Sequence, residues 1–106
     1  MQIREATLSD SESIRNVHLQ AFDNSEAQII SDLAVNLLNE KSPIKIISLV
    51  AIQNNEVIGH TAFSPVFFED NSEHFAYILA PLAVSPKHHK NKVGPSLVKY
   101  GLDIIF

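Results

Sequence analysis

FAYILAPLAVSPKHHKNKVGPSLVKYGLDIIF, Phe75–Phe106, is the stretch that decides the fold. Its first ten residues are apolar apart from the Tyr77 hydroxyl, the pattern of a strand covered on both faces. Ser85-Pro86 stops that strand, because proline supplies no ladder donor and restricts the residue before it. A basic run, Lys87-His88-His89-Lys90-Asn91-Lys92, leads into Val93-Gly94-Pro95-Ser96. Apolar positions then recur at Leu97, Val98, Gly101, Leu102 and Ile105, which is helical spacing. A strand that passes through a positive loop into a helix start suits phosphate. Free backbone N–H groups and the positive end of the helix dipole both point at the anion.

Composition narrows the setting. A chain of 106 residues is long enough for one small domain with one core. Hydrophobic content of 45% and charged content of 19% are ordinary for a soluble globular domain. The net charge of −4 argues against nucleic acid as a partner and makes the positive loop a local feature. With no cysteine, disulfides, thiolate metal sites and a cysteine nucleophile are excluded; no metal site is expected. No apolar run approaches the ~20 residues of a membrane span, and MQIREATLSD lacks a signal-peptide pattern, so the expectation is a cytoplasmic protein without a membrane partner.

Upstream, Gln2–Ala6 reads as a short strand. Ser9-x-x-Glu12 reads as a capping box for a first helix whose buried face is Ile14, Val17, Ala21 and Phe22, with His18 beside it. Ser25-x-x-Gln28 repeats that logic for a second helix, striped by Ala27, Ile30, Leu33, Ala34, Leu37 and Leu38 and ended by Asn39 through Pro43. Ile46–Gln53 and Val57–Phe63 read as strands joined at Asn54-Asn55, where asparagine tolerates positive φ. Strand alternation puts His60 on one face with Ile58 and Ala62. Glu69-Asp70-Asn71-Ser72-Glu73 is a polar acidic loop able to attract a cation.

These residues resemble the GNAT acetyltransferases, which move an acetyl group from acetyl-CoA to an amine. In that family a Leu-Ala-Val type strand end is followed by Pro and then by Gln/Arg-x-x-Gly-x-Gly/Ala, a loop that wraps the CoA pyrophosphate. Leu82-Ala83-Val84 and Pro86 match; the Gln/Arg position falls on His89, the first Gly on Lys92 and the second on Gly94. Lys92 keeps its N–H in play only where the bend tolerates a Cβ, and Pro95 removes an N–H that would face phosphate. Lys90 and Lys92 add point charges. The run Gly59-His60 to Phe63-Ser64-Pro65-Val66 is also similar to the third strand of one GNAT subgroup.

The resemblance implies an α/β (α+β) mixed-sheet fold in the order β-α-α-β-β-β-α, the N-terminal two-thirds of the GNAT fold. Residues 1–106 would form a single GNAT-like domain lacking the usual C-terminal strand-helix-strand portion. It implies acetyl-CoA as co-substrate, held by Leu82, Ala83, Val84, His89, Lys90, Lys92, Val93, Gly94 and Ser96. The acceptor is a small-molecule or peptide amine, with Glu26, Gln28 and His60 as candidates for its cleft. No general base is assignable: the fourth strand offers Tyr77, with Glu73 and His74 at its entrance. The apolar end Ile104-Ile105-Phe106 implies a homo-oligomer formed through it. Two further readings stand beside the enzyme: an inactive shortened relative that self-associates, and an unrelated phosphate binder using Lys87–Lys92. The second of these has no Walker or dinucleotide glycine pattern behind it.

Overall fold

The structure, a computed structural model, describes residues 1–22, 24–40, 45–67 and 75–106, without the side chains of Asn24, Phe67, Phe75, His89, Lys90 and Asn91. The acidic loop 69–73, His74 and the segment 41–43 therefore lie outside the described residues. In chain order come β1 (Gln2–Glu5), a 3-10 turn (Leu8–Asp10), α1 (Ser11–Ala21), α2 (Asn24–Asn39), β2 (Ile47–Gln53), β3 (Glu56–Phe67), β4 (Phe75–Val84), a 3-10 helix (Pro86–Asn91) and α3 (Val93–Ile105). This is the order implied by the resemblance. The four strands form one sheet, β1-β2-β3-β4, and every pairing is antiparallel.

Local chemistry sets these elements. The first helix begins at Ser11, so its N-cap position is Asp10, one residue later than the Ser9 box implies. Arg4 grips Asp10 through two bonds of 2.8 and 3.0 Å, and the same carboxylate accepts the Thr7 N–H at 2.7 Å. Asp10 thus stands at the N-cap position of α1 with its carboxylate committed to Arg4 and to the Thr7 end of the 3-10 turn, and Ser9 turns to the Thr7 hydroxyl. α2 starts at Asn24, which leaves Ser25 inside the helix and Gln28 free to donate to Asp32. Asn54 and Asn55 both take positive φ, 54° and 62°, and close the β2–β3 hairpin as expected. β3 runs four residues past the predicted end because its last part stays paired with β4, and among the described residues it is paired on that side only. β2 drops out at Ile47↔Phe63, so Pro65, opposite Tyr77, has no second neighbour to leave short of a donor.

The sheet has a helix layer on each face. Ile14, Ala34 and Val50 centre the core beneath α1 and α2; Ile47, Leu49, Ile58, Phe63, Val93 and Leu97 centre the one beneath α3. A bulge between Ala51 and Ile52 breaks the strict alternation of β3. Ile58 therefore belongs to the α3 side, while His60 faces α1, a correction to the shared face expected for them. Two glycines let α3 approach β3 closely. A Cβ on Gly59 would stand 2.8 Å from Val93 Cγ1, and one on Gly101 would stand 2.1 Å from Phe63 Cε2. β4 is not covered on both faces as its sequence predicts. Among the described residues it is the last strand of the sheet, and Ala76, Ile78 and Ala80 on its first half are exposed.

Candidate functional site

Two local features set β4 apart. The first is a bulge. Thr61 pairs with Leu82 but Phe63 pairs with Leu79, so Ala80 and Pro81 together stand opposite Ala62. The buried Thr61 hydroxyl donates to the Pro81 carbonyl at 3.1 Å across this gap. The second is the free edge: no described strand pairs with β4 on its outer side. Ser85 then closes the strand by donating its N–H to the Ile58 carbonyl at 2.8 Å.

Beyond Ser85 the basic run winds into the 3-10 helix, with the His88 N–H on the Ser85 carbonyl at 2.8 Å. Lys92 then takes φ 57°, ψ 30° and serves as N-cap of α3. The position where the family carries glycine thus has the left-handed conformation that glycine favours, held here by a lysine. Lys92 is exposed, and its carbonyl accepts the Ser96 N–H at 3.1 Å. Of the first-turn residues, Val93 and Gly94 keep an N–H and Pro95 has none. Two amides and a lysine therefore stand where the dipole of α3 begins. Beside them a groove of about 540 Å³ runs between Leu82 on the edge of β4 and Gly94, Pro95 and Val98 on α3. Val98 and Leu102 also line a second, apolar cleft of about 730 Å³ against Ile47, Phe63, Tyr77 and Leu79. Phe106 projects from its rim, 97% exposed.

On the opposite face lies a polar cluster that the separate readings of His18 and His60 did not join. Both imidazoles are fully buried. His18 Nε2 is 2.8 Å from His60 Nδ1, and His60 Nε2 is 2.8 Å from Ser48 Oγ. Phe22 stacks on His18 with ring centroids 6.1 Å apart. Burial pushes the His18 pKa down to about 4 and, helped by the neighbouring His18, that of His60 to about 3. His18 Nδ1 has no partner among the described residues. A bare lone pair there costs less than a bare N–H. The cheaper arrangement has His18 Nε2–H donating to His60 and His60 Nε2–H donating to Ser48. Neutral, buried and committed to each other, the pair pins α1 to β2 and β3. His60 therefore does not line an open cleft. Its partner across the ladder is Ala83, so the cluster sits directly behind the Leu82–Val84 triplet.

The other candidates separate. Tyr77 lines the apolar cleft and donates its hydroxyl to the Lys45 carbonyl at 2.8 Å. Glu26 and Gln28 are exposed on the first turns of α2, and Gln28 binds Asp32, which also pairs with Arg15. Glu73 and His74 are outside the described residues, as are the side chains of His89 and Lys90. Thr61 and Ser48 were missed. A threonine in an apolar strand carries no signal of its role until the bulge opposite it is known.

A family model described as Acetyltransferase (GNAT) family matches residues 11–106. The uncharacterized N-acetyltransferase YjhQ of Escherichia coli K12 is 33% identical over 96 residues, which are 90% of this chain and 51% of that protein. The chain thus spans about half the length of its curated relative. A GNAT family acetyltransferase from Brucella melitensis, solved in complex with acetyl-CoA, superposes with a TM-score of 0.82 at 32% identity over 96% of this chain and 66% of the other. PaiA N-acetyltransferase from Thermoplasma acidophilum, solved with coenzyme A, gives 0.74 at 19% identity, covering 97% and 70%, and shows the fold alone.

Proposed function

Because this chain belongs to the GNAT acetyltransferase family, we propose that it takes acetyl-CoA along the outer edge of β4 and delivers the acetyl group to an amine. The observation that carries this is the continuous groove from Leu82 to the start of α3, with Lys92 left-handed at the N-cap. The pyrophosphate would rest on the amides of Val93 and Gly94, with Lys92, Lys90, His89 and the Ser96 hydroxyl around it. The thioester would lie against the main chain of Leu82, Ala83 and Val84, where backbone N–H groups polarise the carbonyl. The neutral amine nitrogen attacks the carbonyl carbon, the C–S bond breaks, and the proton that the nitrogen sheds ends on the departing thiolate sulfur. The acceptor is a small molecule or a peptide carrying a free amine. Residues 1–106 act as a single unit in this reading, in the cytoplasm where acetyl-CoA is at hand.

The apolar cleft and the exposed Phe106 support self-association: a second copy would cover Leu102, Ile104 and Phe106, all exposed. Light scattering tests that part, and a monodisperse monomer at tens of micromolar would end it.

Calorimetric titration with acetyl-CoA tests the main reading. Saturable binding that weakens with salt and in Lys92→Ala is the expected result. No heat at millimolar acetyl-CoA would instead favour a folded relative without the chemistry.

A further inference from the structure

At the bulge on β4 a buried side chain binds a main-chain carbonyl. Pro81 C=O turns inward to Thr61 Oγ1, 3.1 Å away, and Thr61 is fully buried. That carbonyl shares one planar peptide unit with the Leu82 N–H, and in a trans unit the two point in opposite directions. Fixing the carbonyl toward β3 therefore fixes the Leu82 N–H toward the outer edge. The strand alternation agrees. Ser85 donates inward to Ile58, which places the main-chain groups of Ala83 inward too and those of Leu82 outward. On that outer edge Leu82 lines the groove that ends at Gly94.

We infer that Thr61 is a positioning residue: through the Pro81–Leu82 peptide it aims the Leu82 N–H at the acyl carbonyl bound along β4. The inference rests on the acyl-transfer reading above and adds to it the group that orients the donor. The geometry matters because a bulge frees its peptide units from the ladder that would otherwise hold them. An N–H that can swing stabilises a developing oxyanion poorly; one held beforehand needs no reorganisation when charge appears. A hydrogen bond accepted by the carbonyl also polarises the same amide, which strengthens its N–H as a donor. Valine in this place would keep the shape and lose the hydroxyl. Serine would keep the hydroxyl and lose only a methyl.

The test compares Thr61→Val with Thr61→Ser, in the 106-residue chain, for binding of acetyl-CoA and of CoA, which has no acyl carbonyl. In Thr61→Val the acetyl-CoA affinity should fall about tenfold, the scale of one hydrogen bond, with CoA affinity within about twofold of the parent. Thr61→Ser should restore the acetyl-CoA preference. An unchanged acetyl-CoA to CoA ratio in Thr61→Val, or equal loss in both variants, overturns the inference. A merely structural role would weaken both ligands together. Should the valine variant not fold, Thr61→Ala takes its place with the same expectations. If the parent binds neither ligand, the acyl-transfer reading fails separately. The positioning claim is then decided by amide resonances: Leu82 must shift in Thr61→Val and return in Thr61→Ser, and a Leu82 amide indifferent to both refutes it.

Discussion

Gly101→Ala tests the packing that holds α3 in place. The added Cβ would lie 2.1 Å from Cε2, 2.5 Å from Cζ and 2.9 Å from Cδ2 of Phe63. Phe63 cannot yield easily, being 3% exposed within the cluster that includes Leu49 and Leu97. Helix or ring must therefore move by more than 1 Å, roughly, to reach ordinary contact, and overpacking of that severity costs ~3 kcal/mol. Alanine recovers ~1 kcal/mol of helix propensity over glycine. The net is a loss of about 2 kcal/mol, which in urea, at ~1.3 kcal/mol per molar for a chain of this size, lowers the midpoint by roughly 1.5 M. Gly94→Ala is the control in the same helix. Its Cβ would approach nothing closer than Val84 Cγ2 at 3.8 Å, so its midpoint should hold or rise. Yet that Cβ would enter the groove beside Leu82, so acetyl-CoA affinity should drop in a protein of undiminished stability. Adding Phe63→Leu to Gly101→Ala should return part of the lost stability. A Gly101→Ala midpoint at or above the parent's would refute the close approach of α3 to β3.

Lys92→Gly relieves a left-handed residue and should raise stability by about 1 kcal/mol while Lys92→Ala does not, read as melting temperatures; equal effects would contradict the left-handed cap. Both changes should weaken acetyl-CoA binding through the lost charge. The buried histidines make the chain acid-labile. Their folded-state pKa values lie below the ordinary 6.5, so the unfolded chain binds more protons as pH falls. Stability is full above about pH 6.5 and declines by up to ~1.4 kcal/mol per pH unit for each imidazole toward the folded values near 4 and 3. A denaturant midpoint constant from pH 7.5 to 5 would rule this out. Asp10 acts in a lower window. The hydrogen bond from Arg4 holds its carboxyl near 2, so its contribution is present above 3.8 and lost as pH falls through about 2. Asp10→Asn should remove that lower limb and leave the upper one.

Much of the fold was legible because its signals are local. The apolar run Phe75–Val84 and the Asn54-Asn55 turn both appear in the structure at the predicted residues. The helical spacing after Gly94 marks α3, though its start lies at Val93. What failed was whatever depends on a distant partner. Asp10 rather than Ser9 holds the N-cap position of α1, and its carboxylate is taken by Arg4 on β1 and by the Thr7 N–H. β4 looks doubly covered by its composition, but coverage is set by how far the helices on each face extend over it, and hydrophobicity does not report that. The candidate site divides in the same way. The triplet and the loop are contiguous, so the sequence by itself nominates them as one candidate. His18 and His60, 42 positions apart, each looked ordinary until the fold brought them within hydrogen-bond reach. Thr61 needed the bulge.

The two glycines under α3 have a consequence for recognition. Gly59 receives Val93 at the helix's first turn, and Gly101 receives Phe63 near its last. The helix is thus pressed to the sheet at both ends, and its start cannot drift relative to the end of β4. A ligand bound at Lys92, Val93 and Gly94, as proposed, would find the donors already set, and the ordering entropy of binding would fall on the ligand's own rotatable bonds. Affinity at this edge should accordingly respond to how stiff the incoming pantetheine-like arm is, more than to any loosening of the protein around it.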